Sequence, residues 1–590
     1  MDQKPAGLSL LRLFPFVCFV CFVVTPGSNL RALGGENIKR PRLGSGAGPC
    51  SRFRMTRRLP LLALAATLLA GGCTRRETPA EEGIRTHTLL VGNQNEPATL
   101  DPALIDAATD QNIAVALYEG LTVLDEKTTR PLPGVAERWD ISPDGLTYTF
   151  HLRPSARWSN GDPVTADDFA YSFQRILTPG LGAVYAYMLW PIQNAEAFNA
   201  GRITDFRQVG VTVVDPLTLR LTLALPTPYL LALAAHSTWM PVHRATVEKF
   251  GRMADRDTAW TRPGNLVSNG PFTLTEWRSN ARVVVSRNPH YWDAAHNHLE
   301  RVIFFPIEKA EVEELNFRAG QLHLTFALPP SKIAAYRQES PGLLRLDPLL
   351  YLLYLNFNTT KPPFTDPRVR RALALAIDHA AISQRVYGGA NPPAETISPP
   401  DCGGYTPPPG LTPDYPAARA LLAEAGFPGG RGLPPIALQV LNDDKVPKVA
   451  ETLQAMWQRE LGVSISIEPY EQKTWIQNQQ TLSHTLGLMG WTADYADPIT
   501  FLSIFAGGGG NNWTGWSNKE YDILIVQAAY TADAQKRFAI LQRAEALLLQ
   551  QAPVAPVVFG ARTYLIHPAV RNWAPSPVGI HRYQLVELVP

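Results

Sequence analysis

The chain has 590 residues, enough for about three or more domains. Apolar residues at 45% and charged residues at 18% exclude a broadly disordered chain, and a net charge of +2 excludes a strongly basic nucleic-acid binder. The total hides an asymmetry: residues 1–72 carry +8 and the rest of the chain −6, so a basic leader precedes a mildly acidic body.

In the leader, Met55 opens an alternative start. Arg57 and Arg58 precede an apolar run of about a dozen residues, then Gly71, Gly72 and Cys73. That order reads as a secretory signal over 55–72. A cysteine after two glycines resembles a bacterial lipobox, with Ala70 where leucine is usual, and the resemblance implies lipidation of Cys73. Residues 1–54 read as a mis-called upstream extension, because Arg12 and Pro15 break the apolar run at 8–24. Residues 73–83 are polar and are expected to be a short tether. The five cysteines are Cys18, Cys21, Cys50, Cys73 and Cys402. A body holding Cys402 alone beyond Cys73 has no internal disulfide and no cysteine-based metal site. After Cys73 no apolar run reaches the ~18 residues that span a membrane.

Strand and helix signals then alternate. Leu146, Tyr148, Phe150 and Leu152 repeat with period two, which predicts a half-buried strand. Thr165 and Asp168 have capping-box spacing ahead of a helix with an apolar face of Phe169, Phe173, Ile176 and Leu177. Leu217, Leu219, Leu221 and Leu223 predict a second strand, and residues 301–307 another. Asp366-Pro367 reads as an N-cap followed by proline at the first helical position. Ile436 to Leu441, a helical stripe of Val449, Leu453, Met456 and Trp457, a stop at Gly462, and Val463, Ile465 and Ile467 together read as a βαβ unit. The run Gly507 to Gly510, followed by Asn511-Asn512, is expected to be a mobile loop.

Signatures of catalysis are absent from the sequence. The body has no His-Glu-x-x-His, Gly-x-Ser-x-Gly, phosphate-binding Gly-x-x-x-x-Gly-Lys or paired Cys-x-x-Cys. His296-Asn-His298 is the closest histidine pair and reads as a solvated turn. This moves the expectation from an enzyme to a binding protein, with no cofactor and no metal.

Three stretches carry a resemblance to a known family. The first is Gly134-Val-Ala-Glu-Arg-Trp139, continuing through Asp144-Gly145 and Arg153 to Trp158-Ser-Asn-Gly-Asp-Pro-Val-Thr-Ala-Asp-Asp-Phe169. The second is Pro362-Pro-Phe-Thr-Asp-Pro-Arg-Val-Arg-Arg-Ala-Leu373. The third is Gly490-Trp-Thr-Ala-Asp-Tyr-Ala-Asp-Pro498. They resemble the family 5 extracellular solute-binding proteins that feed ABC importers, and the third resembles the oligopeptide-binding subgroup. The resemblance implies an α/β, periplasmic-binding-protein-like fold: two lobes closing about a hinge, plus an additional α/β domain. The implied boundaries are 84–117, 244–350 and 558–590 for lobe I, 118–243 for the extra domain and 351–557 for lobe III.

It also implies a binding site. Asp494 falls where the subgroup pairs a carboxylate with the peptide's free α-ammonium. The peptide is held as an added strand, with backbone from Asp106, Ala107, Ala108 and Thr109 on one side and from Gly490, Trp491 and Thr492 on the other. Tyr185 falls where an aromatic meets the ligand. There are departures. A disulfide present in some members would join the positions of Tyr351 and Thr492. Basic residues near the peptide C-terminus fall at Gln479 and Leu488, and a tryptophan falls at Gln472. The expected function is a lipid-anchored, extracytoplasmic receptor, periplasmic in a Gram-negative cell. It captures short peptides for an ABC permease, acts as a monomer, binds no nucleic acid and touches the membrane through its lipid. The alternatives are a receptor for a murein peptide, a nickel chelate or an oligosaccharide, or a peptide-sensing receptor.

Overall fold

The structure, a computed structural model, describes residues 76–443 and 445–590. The expected extension (1–54), the signal (55–72) and Cys73 lie outside the described residues. Residues 79–590 belong to one compact unit.

Three larger sheets organise it. One has four strands in the spatial order Thr88–Gly92, Arg301–Phe305, Arg282–Arg287, Phe272–Arg278, with the first pair parallel and the others antiparallel. A second, wholly antiparallel, runs Ala136–Ile141, Thr147–Leu152, Thr218–Thr222, Val211–Asp215. The third has five strands in the order Ile465–Tyr470, Ile436–Leu441, Leu486–Thr492, Leu344–Phe357, Val554–Leu565.

Local sequence accounts for many of these elements. In Thr147–Leu152, Tyr148, Phe150 and Leu152 are buried while the intervening residues are half-buried, as period two requires. The following helix, Ala166–Leu177, starts on the expected capping box: the Thr165 N–H donates to the Asp168 carboxylate at 2.8 Å. Its buried Phe169, Phe173, Ile176 and Leu177 form the face that packs into the core. Helix Pro367–Leu375 is capped by Asp366, which accepts from the Arg368 N–H at 2.8 Å. The βαβ unit forms as read. Ile436–Leu441 pairs in parallel with Ile465–Tyr470, and helix Val446–Leu461 ends at Gly462, whose φ of 67° suits glycine.

Two expectations are corrected. The tether was expected to run to residue 83, but Pro79–Arg85 is a helix docked on the body, with Ala80 and Gly83 buried. The Ala80 N–H donates to the Gly320 carbonyl at 2.9 Å, and the Ala80 carbonyl sits 2.9 Å from His323 Nε2. A short apolar helix end finds a pocket there, which polarity of sequence alone did not reveal. The glycine run has no regular structure but is tied down: the Asn512 amide donates to the carbonyls of Phe505, Ala506 and Trp516 at 2.8–3.1 Å.

Apolar side chains gather into separate cores. One belongs to the sheet of Thr147–Leu152, and the largest belongs to the five-stranded sheet. Strands Leu344–Phe357 and Val554–Leu565 pair with each other and run between two cores. Leu344 and Leu565 pack with Leu90 and Phe317, while residues 350–357 and 554–559 enter the largest core. Their register shifts between Leu349 and Leu352, at the crossing.

Candidate functional site

Strand Leu486–Thr492 is central in the five-stranded sheet, yet one of its edges is partly open. On one side it pairs along its whole length with the strand Leu344–Phe357. On the other it pairs with Ile436–Leu441 only through Leu486 and Gly487. From Leu488 to Thr492 that edge has no neighbouring strand among the described residues. Unpaired backbone N–H and C=O groups on a strand edge are a template for an extended chain. Gly490, Trp491 and Thr492 lie on this stretch.

Tyr351 stands directly opposite Thr492 in the ladder. The two positions at which the resemblance implied a lost disulfide are therefore cross-strand neighbours. The Tyr351 ring covers Gly490, where a Cβ would come 2.9 Å from its Cε2, so residue 490 is glycine for close packing and not for a special backbone angle.

Asp494 follows the strand end. It keeps part of its surface open and is otherwise closely surrounded by protein. Desolvation pushes its pKa up to about 7 against the opposing effect of a hydrogen bond from Tyr187, and no cation contributes. Three residues on, Asp497 is buried and fully paired: the Arg537 guanidinium donates to both its oxygens at 2.8 and 2.6 Å. Between these carboxylates in sequence, Tyr495 stacks on Tyr229 with centroids 4.7 Å apart and planes 5° apart.

Several expected residues take other roles. Tyr187 bears on the Asp494 carboxylate and favours its charged form. Tyr185 is 6% exposed and packs among His236 and Tyr187 in the core of the Thr147–Leu152 sheet. The two tyrosines lie in the short 3₁₀ segment Val184–Leu189, which is kinked at Tyr185; Tyr185 is buried and Tyr187 half-buried. Trp491 packs into the core of the five-stranded sheet, with its indole N–H unpartnered. Ala108 and Thr109 are not extended backbone. They open the helix Ala108–Leu117, and only Asp106 and Ala107 precede it, Ala107 being extended at φ −124°, ψ 144°. Asp106 is exposed.

Gln479 and Leu488 are buried. Gln479 accepts from the Asn356 amide at 3.0 Å beneath Gly487, so no cation stands at either position. The histidine pair makes separate contacts: His296 Nδ1 is 2.5 Å from Asp293, and His298 lies 3.5 Å from Glu587. Among the described residues no cluster of three metal-ligating side chains occurs. A small cavity of about 50 Å³ beside Glu119 and His581 is lined by none of the site residues named here.

This arrangement has counterparts. A family model described as bacterial extracellular solute-binding proteins, family 5 Middle, matches residues 130–513. The periplasmic oligopeptide-binding protein OppA of Salmonella typhimurium is 34% identical over 528 residues, covering 86% of this chain and 94% of its own. The periplasmic murein peptide-binding protein MppA of Escherichia coli is 34% identical over 490 residues, 81% of this chain and 89% of its own. Among solved structures, the unliganded open form of the murein tripeptide-binding protein MppA superposes with a TM-score of 0.78 at 32% identity, covering 85% of this chain and 97% of that one. With more than half of the chain matched and its relatives covered nearly end to end, the chain belongs to the family 5 bacterial extracellular solute-binding proteins, binding proteins and not enzymes, with the periplasmic-binding-protein fold.

Proposed function

We propose that this chain captures short peptides with a free amino terminus and hands them to the permease of an ABC importer. One observation carries the reading: Asp494, a closely surrounded carboxylate without a cation, stands at the end of an open strand edge. The edge supplies backbone hydrogen bonds to any extended peptide, whatever its side chains. Asp494 supplies the counter-charge for its ammonium. We read 84–117, 244–350 and 558–590 as lobe I, 118–243 as the extra domain and 351–557 as lobe III, with the two crossing strands as the hinge; the separate apolar cores support this division. Lipidation at Cys73 anchors the protein outside the cytoplasm, and it acts as a monomer.

Thermal unfolding tests the reading. The purified protein is unfolded and refolded to strip bound ligand, then heated with matched free and N-acetylated tri- and tetrapeptides. Ligand at about 100 times its Kd stabilises by roughly 2.7 kcal/mol. A shift with free peptides alone is expected; equal shifts with both forms overturn the role of Asp494. A second reading, a murein peptide as ligand, is favoured by the likeness to MppA and by the uncharged Gln479 and Leu488. Competition between alanyl peptides and murein tripeptide separates the two.

A further inference from the structure

The cavity of about 50 Å³ is walled by stretches of chain far apart in sequence. Glu119 and Glu126 come from the segment after helix Ala108–Leu117, Met240 from a second stretch, and His581, Arg582 and Gln584 from the C-terminal segment. Glu126 already ties the first stretch to the last. Its Oε1 accepts from the Arg582 backbone N–H at 2.5 Å, and its Oε2 lies 3.7 Å from His581 Nδ1, beyond hydrogen-bond reach. Glu119 is engaged elsewhere, accepting from the Trp292 indole N–H at 2.6 Å and from the Tyr291 hydroxyl. The His581 ring stacks on Trp573 with centroids 3.9 Å apart and planes 23° apart, which holds the imidazole in place. Three polar atoms of the C-terminal wall have no hydrogen-bond partner among the described residues: His581 Nδ1, Arg582 Nε and Gln584 Oε1. His581 and Gln584 are each 3% exposed. Buried polar groups are nearly always paired, so three orphans along one wall of one cavity point to an occupant.

We propose that this cavity is an internal hydration site, in which two or three ordered waters bridge the C-terminal segment to the Glu119–Glu126 stretch. The orphans decide the chemistry. Arg582 Nε–H can only donate, Gln584 Oε1 can only accept, and His581 Nδ1 takes either role according to its tautomer. An ion answers one kind of group; a water answers both at once. Size decides the number. A water needs about 10–15 Å³ of such volume and a benzene ring about 150 Å³, so the cavity holds about three waters and is too small for a ring. The waters extend the bridge that Glu126 begins. The same C-terminal segment grips the crossing strand Leu344–Phe357, where the Leu350 N–H donates to the Pro577 carbonyl at 2.8 Å. The hydration site thus joins that strand, through the C-terminal segment, to the Glu119–Glu126 stretch. None of this depends on the reading of Asp494.

Two measurements test the proposal, and neither uses a peptide. The first is a high-resolution crystal structure of the purified protein. It is expected to show two or three waters in the cavity, within hydrogen-bond distance of at least two of the three orphan atoms. An empty cavity, orphans paired directly with protein groups, or a bound solute other than water overturns the proposal. The second is thermal unfolding of Gln584→Leu, where the sign of the shift is decisive. In a dry cavity Gln584 Oε1 is an unsatisfied buried acceptor, and its replacement by an apolar group of similar size raises the unfolding midpoint. In a hydrated one the replacement strips the waters of an acceptor, and the midpoint is expected to fall by about 1–2 °C. A raised or unchanged midpoint overturns the proposal. If Gln584→Leu does not fold, the crystal structure of the starting protein decides alone.

Discussion

Asp101 and Asp494 are both carboxylates enclosed by protein, and they solve the problem of enclosure differently. Asp101 sits against Arg175, which donates to both its oxygens at 2.8 and 2.6 Å, and both side chains are nearly inaccessible. The pair ties the segment before helix Ala108–Leu117 to helix Ala166–Leu177. Asp494 has a tyrosine hydroxyl and no cation. A carboxylate that serves the fold carries its counter-charge within the chain. One that serves a ligand leaves the counter-charge to the ligand, and the free protein bears the cost as a raised pKa.

Breaking the structural pair gives the largest expected effect. Arg175→Met leaves Asp101 enclosed and unpaired, which typically destabilises by about 3–5 kcal/mol. Chemical denaturation is expected to show that loss, while the ratio of free to acetylated peptide affinity in the surviving folded protein stays unchanged. Asp494→Asn is the mirror case. It is expected to weaken free-peptide binding by about 2–5 kcal/mol, as removing one partner of a desolvated charge pair does. Stability of the ligand-free protein is not expected to fall. A large stability loss together with intact binding would place Asp494 with Asp101 as a structural group.

The two carboxylates also differ in how far the sequence disclosed them. The Gly490 to Pro498 motif singled out Asp494, whereas Asp101 and Arg175 are 74 positions apart with no local signal joining them. Local chemistry was legible where it is sufficient: the Thr165–Asp168 cap, the Asp366 cap and the βαβ unit with its Gly462 stop all form as read. What failed depended on neighbours distant in sequence. Tyr185 and Tyr187 are two positions apart in one short segment, and their different burial depends on packing that the motif does not encode. Ala108 and Thr109 open a helix whose first-turn Asp110 accepts from the N–H groups of Ala98 and Thr99 at 3.1 and 3.2 Å, contacts that the local sequence does not announce. Trp491 faces the core although its strand ends at the open edge; period two puts it on the face opposite Gly490 and Thr492, a consequence that needs the strand direction to be known.

A pH series sharpens the comparison at a smaller scale. The Asp494 pKa is raised from 3.8 to about 7, so the folded protein binds a proton there more tightly than the unfolded chain does. Its contribution to ligand-free stability is therefore most favourable below about pH 4 and is lost as pH rises toward 7, by at most ~1.4 kcal/mol per unit. Other buried carboxylates with raised values, Glu313 and Glu545 among them, share that direction. The informative quantity is the difference between the starting protein and Asp494→Asn. That difference is expected to grow in favour of the variant between pH 4 and 7 and then level off; a flat difference would mean that Asp494 ionises freely. Peptide affinity has the opposite sign. It is expected to fall about tenfold per unit as pH drops below 7, and to fall again above about 8 as the peptide ammonium deprotonates.

Tyr187→Phe gives the smallest effect and tests how the unliganded site is held. The Tyr187 hydroxyl favours the charged form of Asp494, so its loss is expected to raise the Asp494 pKa further. A hydrogen bond to a charged group contributes about 1.5–3 kcal/mol in general, but a partly open site allows water to replace the donor, so the expected net change in affinity is about 1 kcal/mol or less. The sign depends on whether Tyr187 keeps its bond when the ammonium arrives. If it stays, Tyr187→Phe weakens binding at every pH above 7. If the ammonium displaces it, the variant binds free peptide slightly more tightly at pH 8, where Asp494 is already ionised, and more weakly at pH 6. Titrations at those two pH values therefore separate a tyrosine that shares Asp494 with the ligand from one that holds its place until the ligand comes.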